Sequence, residues 1–144
     1  MASASDFDFW VGDWTVRWSD EDGGGHGRNV IEKSFDGRVV QERFDGRPGV
    51  ELLGMSVNVF DRHRERWLQT WVDDSGNYFH LEGGMVGGAM ELLCDRHNAQ
   101  PPDACYRMRF FDIQPGSLTW TWERSADGGS TYEEVWRIAY ERNA

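Results

Sequence analysis

The sequence predicts an all-β fold, a closed antiparallel up-and-down barrel of about ten strands with a short N-terminal helical plug. Three observations carry that expectation. Short runs with apolar residues at every second position recur along the chain, separated by Gly, Asp and Pro turn signals. No segment has the 3.6-residue periodicity of a long amphipathic helix. Near the N-terminus, Asp6-Phe7-Asp8-Phe9-Trp10-Val11-Gly12-Asp13-Trp14 places a short aromatic turn directly before a strand, as a plug closing one end of a barrel would be placed.

The elements follow in order. The first strand, about Asp13 to Ser19, puts Trp14, Val16 and Trp18 on one face. An acidic, glycine-rich loop from Asp20 to Gly25 precedes a second strand, about Gly27 to Phe35. Asp36-Gly37 is a hairpin turn into a third strand, Arg38 to Phe44, ended by Asp45-Gly46-Arg47-Pro48-Gly49. The fourth, Glu51 to Phe60, is the most apolar, and the charged turn Asp61 to Glu65 leads into Arg66 to Asp73. Asp74-Ser75-Gly76-Asn77 turns the chain into Tyr78 to Glu82. Gly83-Gly84 and Gly87-Gly88 bracket the next turn before Ala89 to Asp95. An irregular loop, Arg96 to Ala104, carries Pro101-Pro102. Tyr106 to Ile113, Leu118 to Arg124 and Thr131 to Arg142 complete the set. No linker or repeat divides the 144 residues, so residues 1–144 form one domain. Ten antiparallel strands must either close or stack as two sheets, because open edges invite aggregation. Strands of ~8 residues suit a barrel with room for a small ligand; a filled sandwich is the structural alternative.

The composition restricts function. Eight Trp, eight Phe and four Tyr supply the core and leave aromatics over to line a cavity. A net charge of −10 disfavours nucleic acid and anionic membranes as partners. No apolar run approaches the ~20 residues of a membrane span. The N-terminus lacks the basic and apolar regions of a signal peptide, so the expected location is cytoplasmic and Cys94 and Cys105 are expected as thiols, a disulfide across a hairpin being the alternative. The four histidines are scattered without ligand spacing, so no metal or other cofactor is assigned. No nucleophile–base triad, P-loop or dinucleotide fingerprint is present.

Several stretches together carry a resemblance: Asp8-Phe9-Trp10-Val11-Gly12-Asp13-Trp14, Gly27-Arg28-Asn29-Val30-Ile31-Glu32, Val39-Val40-Gln41-Glu42, Arg66 to Asp73, and Leu118 to Ser125. With these the chain resembles a family of small bacterial lipocalin-like (calycin) proteins of unassigned function, along nearly its whole length. The resemblance implies a calycin barrel closed at one end by a short N-terminal helix, and it implies no substrate.

Candidate site residues come from strand parity. Trp67, Gln69, Trp71 and Asp73 share a face, which suits a flat ligand with one hydrogen-bonding edge; the alternative is an amide satisfied by its neighbours. On the last strand Glu134 shares a face with Tyr132, Trp136, Ile138 and Tyr140. Parity therefore places Glu134 inside, unless it is a rim glutamate paired with a surface arginine. Leu118, Trp120 and Trp122 form another stripe, readable as cavity wall or as plain core. Glu32 and Glu42 fall on opposite faces if Asp36-Gly37 is a two-residue turn, and on one face, as a carboxylate pair, if the loop has three residues and a bulge.

These observations lead to one expectation and two alternatives. The first is a barrel that binds a small apolar or aromatic molecule, with Trp14, Trp71, Trp120, Trp122 and Trp136 as walls and Gln69 and Glu134 as polar anchors. The second is a small cyclase or isomerase using Glu134, Glu32 or Glu42 as acid or base. The third is a filled barrel acting through its outside, as a homodimer.

Overall fold

In a computed structural model, which describes residues 2–19, 21, 23–94 and 105–144, the chain forms one closed antiparallel barrel. Its ten strands are β1 (Gly12–Trp18), β2 (Gly25–Ser34), β3 (Val39–Asp45), β4 (Leu53–Asp61), β5 (Arg66–Asp73), β6 (Tyr78–Val86), β7 (Ala89–Cys94), β8 (Cys105–Gln114), β9 (Ser117–Ser125) and β10 (Glu133–Arg142). Each strand pairs with its neighbours in sequence, and β1 closes the barrel against β10. The expected fold class is therefore correct, with one difference: the plug is a single 3-10 turn, Asp8–Trp10, rather than a longer helix. The irregular loop expected over Arg96 to Ala104, together with His97, and two residues of the acidic loop, Asp20 and Asp22, lie outside the described residues. Among the described residues no helix is long and apolar enough to cross a membrane.

The plug fills the barrel end where β1 begins. Phe7 and Trp10 are fully buried and meet Phe110 edge-on at 5.4 and 5.0 Å between ring centroids. Phe7 also meets Trp67 edge-on at 5.0 Å. These are the preferred geometries of aromatic pairs. The Trp14 indole N–H donates to the Trp10 carbonyl at 2.8 Å, tying the turn to β1.

Arg142, at the end of β10, holds the plug from outside. Its guanidinium donates to the carbonyls of Val11 (2.7 Å), Phe9 (3.2 Å) and Pro115 (2.8 Å) and lies over the Trp14 ring at 4.2 Å. Gly12 makes this approach achievable. Its φ is +149°, and a Cβ there would fall on the Arg142 guanidinium. The Gly12-Asp13-Trp14 step is thus the seat of an arginine that joins the last strand to the first and to the plug.

One glycine reading and the facing of one strand change in the structure. Gly83-Gly84 does not border a turn: β6 runs through both to Val86, and the turn is Gly87-Gly88 alone. Gly83 is small because its backbone crosses close to the Glu91 carbonyl of β7. Strand β4 is inverted relative to its neighbours. Its inner face carries Ser56 and Asn58, both buried, while Leu53, Met55, Val57 and Val59 are exposed on the outer wall. The most apolar strand of the sequence thus turns its apolar side to the outside.

Replacing Arg142 with Met keeps the apolar stem over Trp14 and removes the three hydrogen bonds. The expected outcome is a loss of about 2 kcal/mol in urea unfolding with the β-sheet spectrum unchanged. An unaltered midpoint would show that the plug needs no clamp.

Candidate functional site

Above the packed plug end, the interior opens into a cavity of about 150 Å³. Its floor is formed by the buried side chains of Glu42, Leu81, Ile138 and Tyr140, and its walls are mainly aromatic: Phe44, Trp71, Phe79, Trp120, Trp122 and Trp136. The rings are ordered against one another. Tyr106, Trp122 and Trp120 form a parallel stack with centroids 5.0 and 6.5 Å apart and interplanar angles of 7° and 5°. Trp136 stands edge-on to Trp120 (5.9 Å, 88°) and to Trp18 (5.2 Å, 72°). Trp71 lies flat against β4 because residue 54 is glycine; a Cβ at Gly54 would fall inside its ring. The Trp71 indole N–H is fixed by the Asp73 carboxylate at 2.9 Å.

Strands β2 to β5 also carry polar side chains into the interior. Neighbouring side chains form a connected series. Gln69 Nε2 donates to Asn58 Oδ1 (2.7 Å), Asn58 Nδ2 to Ser56 Oγ (3.0 Å), and Ser56 Oγ to Glu42 Oε1 (2.7 Å). From the other side Asn29 Nδ2 donates to Glu42 Oε2 (2.7 Å) and to the Tyr140 hydroxyl (2.8 Å). The amide donors thus run inward from both sides toward one acceptor, the Glu42 carboxylate. Glu42 is 5% exposed and has no cationic partner among the described residues. Burial pushes its pKa up to about 7, against the opposing effect of the Asn29 and Ser56 hydrogen bonds. Burial, and then the Glu42 charge, raise Tyr140 well above the usual phenol value, so it stays neutral. Burial also acts to raise Asp73, but the hydrogen bonds from Trp71, Asn77 and Ser75 outweigh it and leave its pKa lowered.

The structure separates the residues proposed from the sequence. Trp71, Trp120, Trp122 and Trp136 all line the cavity. Gln69 is inside and buried, but it sits in the polar series behind the cavity wall. Trp14 is buried at the plug end, edge-on to Tyr140 at 5.7 Å, rather than on the cavity surface. Glu134 is outside, contrary to its parity. Glu134 pairs with Glu123 whereas Trp136 pairs with Trp122, so Val135 is an extra residue in a β-bulge that reverses the faces. Glu134 instead forms an ion pair with Arg137 at 3.0 Å on the surface. Glu32 is also outside, since the backbone hydrogen bond from Arg38 to Phe35 and the pairing of Ser34 with Val39 follow a two-residue turn. Glu32 therefore pairs with Gln41, and Glu42 alone of the three carboxylates reaches the interior.

Tyr140, which lines the cavity, and Asn29, Ser56 and Asn58, which belong to the hydrogen-bonded series that reaches Glu42, had no place in the sequence-based set of candidates. The available signal was Ser56 and Asn58 alternating with the outer apolar residues of β4. Cys94 is buried and Cys105 half-buried, both as thiols. Among the described residues no group of three His, Cys, Asp or Glu side chains is placed to hold a metal ion.

The closed ten-strand antiparallel barrel is consistent with a lipocalin-like (calycin) fold. No family model matches the chain, and no curated protein matches it.

The Glu42 pKa makes stability depend on pH with a definite sign. A raised folded-state pKa means that the folded protein holds the proton more tightly than the unfolded chain. Stability is therefore full below pH 4.5 and falls as pH rises to about 7, by ~3 kcal/mol for this group. The lowered aspartates, Asp13, Asp45, Asp61, Asp73 and Asp127, act only below their ordinary value of 3.8, so they leave this window clear. Glu42→Gln is expected to flatten the decline in urea titrations across pH 4.5 to 7. A variant that declines like the parent would place the effect elsewhere.

Proposed function

We propose that the protein binds a small, largely apolar molecule with an aromatic ring inside the barrel, with Glu42 as its polar contact. The observation that supports this reading most is the pairing of an ordered aromatic wall with one buried carboxyl on a single cavity floor. A core designed only for packing would have no use for that carboxyl, since burying it costs stability. A cavity of about 150 Å³ matches a ligand of one ring with a short substituent, because apolar spaces of this size accept a benzene-sized guest. The interior can supply dispersion contact and stacking along most of such a ligand, with orientation set at one end.

Native mass spectrometry of freshly purified protein, with a denatured control, tests the reading. A discrete extra mass that leaves on denaturation is the expected result. Indole serves as a second probe, followed through tryptophan fluorescence. Gly54→Ala drives the Trp71 ring into the cavity and is expected to weaken indole binding about tenfold, roughly 1.4 kcal/mol. If neither a copurifying mass nor indole binding is found, the reading fails.

A second reading is favoured by the Glu42 pKa of about 7. A carboxyl poised near neutral pH can take or give a proton, and a shaped aromatic cavity can hold a flexible substrate folded for cyclisation or isomerisation. On this reading, turnover of a copurified molecule depends on a group titrating near pH 7, and Glu42→Gln reduces kcat by about 100-fold or more. Turnover that persists in Glu42→Gln would remove Glu42 from that role.

A further inference from the structure

The charge and donor inventory of the cavity narrows the ligand. Among the described residues that line it there is no Lys, Arg or His, while two carboxylates, Glu42 on the floor and Asp73 on the wall, do so. Asp73 has its donors from Trp71, Ser75 and Asn77. Glu42 has donors on both oxygens but no counter-charge.

The interior around Glu42 is short of donors as well as of positive charge. The amide oxygens of Gln69 and Asn29 are both buried without a hydrogen-bond partner, while the amide nitrogens are committed toward Asn58, Glu42 and Tyr140. An incoming anion would find no cation among the described lining residues to pair with. An incoming group with a positive charge would supply the counter-charge that Glu42 lacks. The walls favour the same group. Indole faces carry negative π-density and attract cations, most strongly where water is excluded. Trp120 and Trp122 and their neighbours line the same cavity as the carboxylate.

We propose that the cavity receives a protonated organic amine with a compact, flat apolar body, its ammonium group against Glu42 and its body between the tryptophan walls. This rests on the ligand-binding reading above and adds the chemical class. The body fills the apolar space, and the ammonium supplies the counter-charge of the carboxylate. The hydrogen bonds from Asn29 and Ser56 oppose the effect of burial on the carboxylate, and the ammonium adds the charge that they do not supply. Bringing an ammonium to the carboxylate draws the Glu42 proton off, so binding is linked to proton release. The titratable groups facing this space from the surrounding strands are Glu42, Asp73 and Tyr140. Tyr140 stays neutral and Asp73 stays ionised, so Glu42 carries the linkage.

The test uses three probes of one shape in isothermal titration calorimetry: phenethylamine, the neutral 2-phenylethanol, and the anionic phenylacetate. Near pH 8 the amine is expected to bind about tenfold or more tightly than the alcohol, and phenylacetate not measurably. Phenethylamine stays protonated down to acidic pH, so its affinity is expected to fall about tenfold for each pH unit below the Glu42 pKa, with close to one proton released per amine bound. In Glu42→Gln the preference for the amine and its pH dependence should vanish while 2-phenylethanol binding persists, which separates lost charge recognition from a lost cavity. Alcohol binding equal to amine binding, or an amine affinity indifferent to pH, overturns the amine inference and leaves the ligand-binding reading standing. Absence of binding by all three probes overturns both.

Discussion

One buried carboxyl, Glu42, sets the terms for the inner wall of this barrel. An ionised carboxylate in an apolar interior is costly unless hydrogen bonds and charge compensate it. Asn29 and Ser56 provide the hydrogen bonds, and Asn58 and Gln69 extend the series behind them. Because Ser56 and Asn58 belong to β4, that strand must turn its polar side inward, and its Leu, Met and Val residues are left on the outside. The inversion of β4 is therefore the local consequence of housing Glu42. What the wall does not provide is a positive charge, so burial raises the carboxyl's pKa with only hydrogen bonds to oppose it.

The rest of the molecule divides the interior in two. The plug end is filled by Phe7, Trp10, Trp67 and Phe110 in edge-on contact, with Arg142 fastening the turn, β1 and β10 together. The other part is lined by rings, some stacked and some edge-on, and a cavity remains between them. Glu42 and Tyr140 lie on the boundary between these two regions. A ligand entering the cavity would thus meet aromatic faces along its sides and the only deeply buried ionisable carboxyl of its lining at the bottom.

Much of this could be read from the residues because alternation is a strong signal in half-buried strands. Trp14, Val16 and Trp18 on one face, and Trp120 and Trp122 on another, are placed inside as period-two patterning requires. The signal fails where the period is interrupted. Val135 adds one residue to β10, and the face of Glu134 is reversed by a bulge that no local residue announces. The register of β2 against β3 hinges on whether Asp36-Gly37 closes a two-residue turn, and only the paired backbone decides that Glu42 faces in and Glu32 out. Parity also says which residues share a face, but not which face is inner. The side of β4 was ambiguous for that reason: its apolar residues argue for the inside, and only its contacts with Glu42 and Gln69 overturn them.

The account depends most directly on the state of one side chain. The carboxyl carbon of Glu42 can be followed by carbon-13 NMR across pH, with Glu42→Gln assigning the resonance, first in the free protein and then with phenethylamine. A midpoint near 7 in the free protein, moving to lower pH when the amine is added, is the result expected of a buried carboxyl that lacks a counter-charge and receives one from the ligand. A midpoint at the ordinary value of 4.5, unmoved by the amine, would mean that Glu42 is solvated and that the cavity is not organised around it.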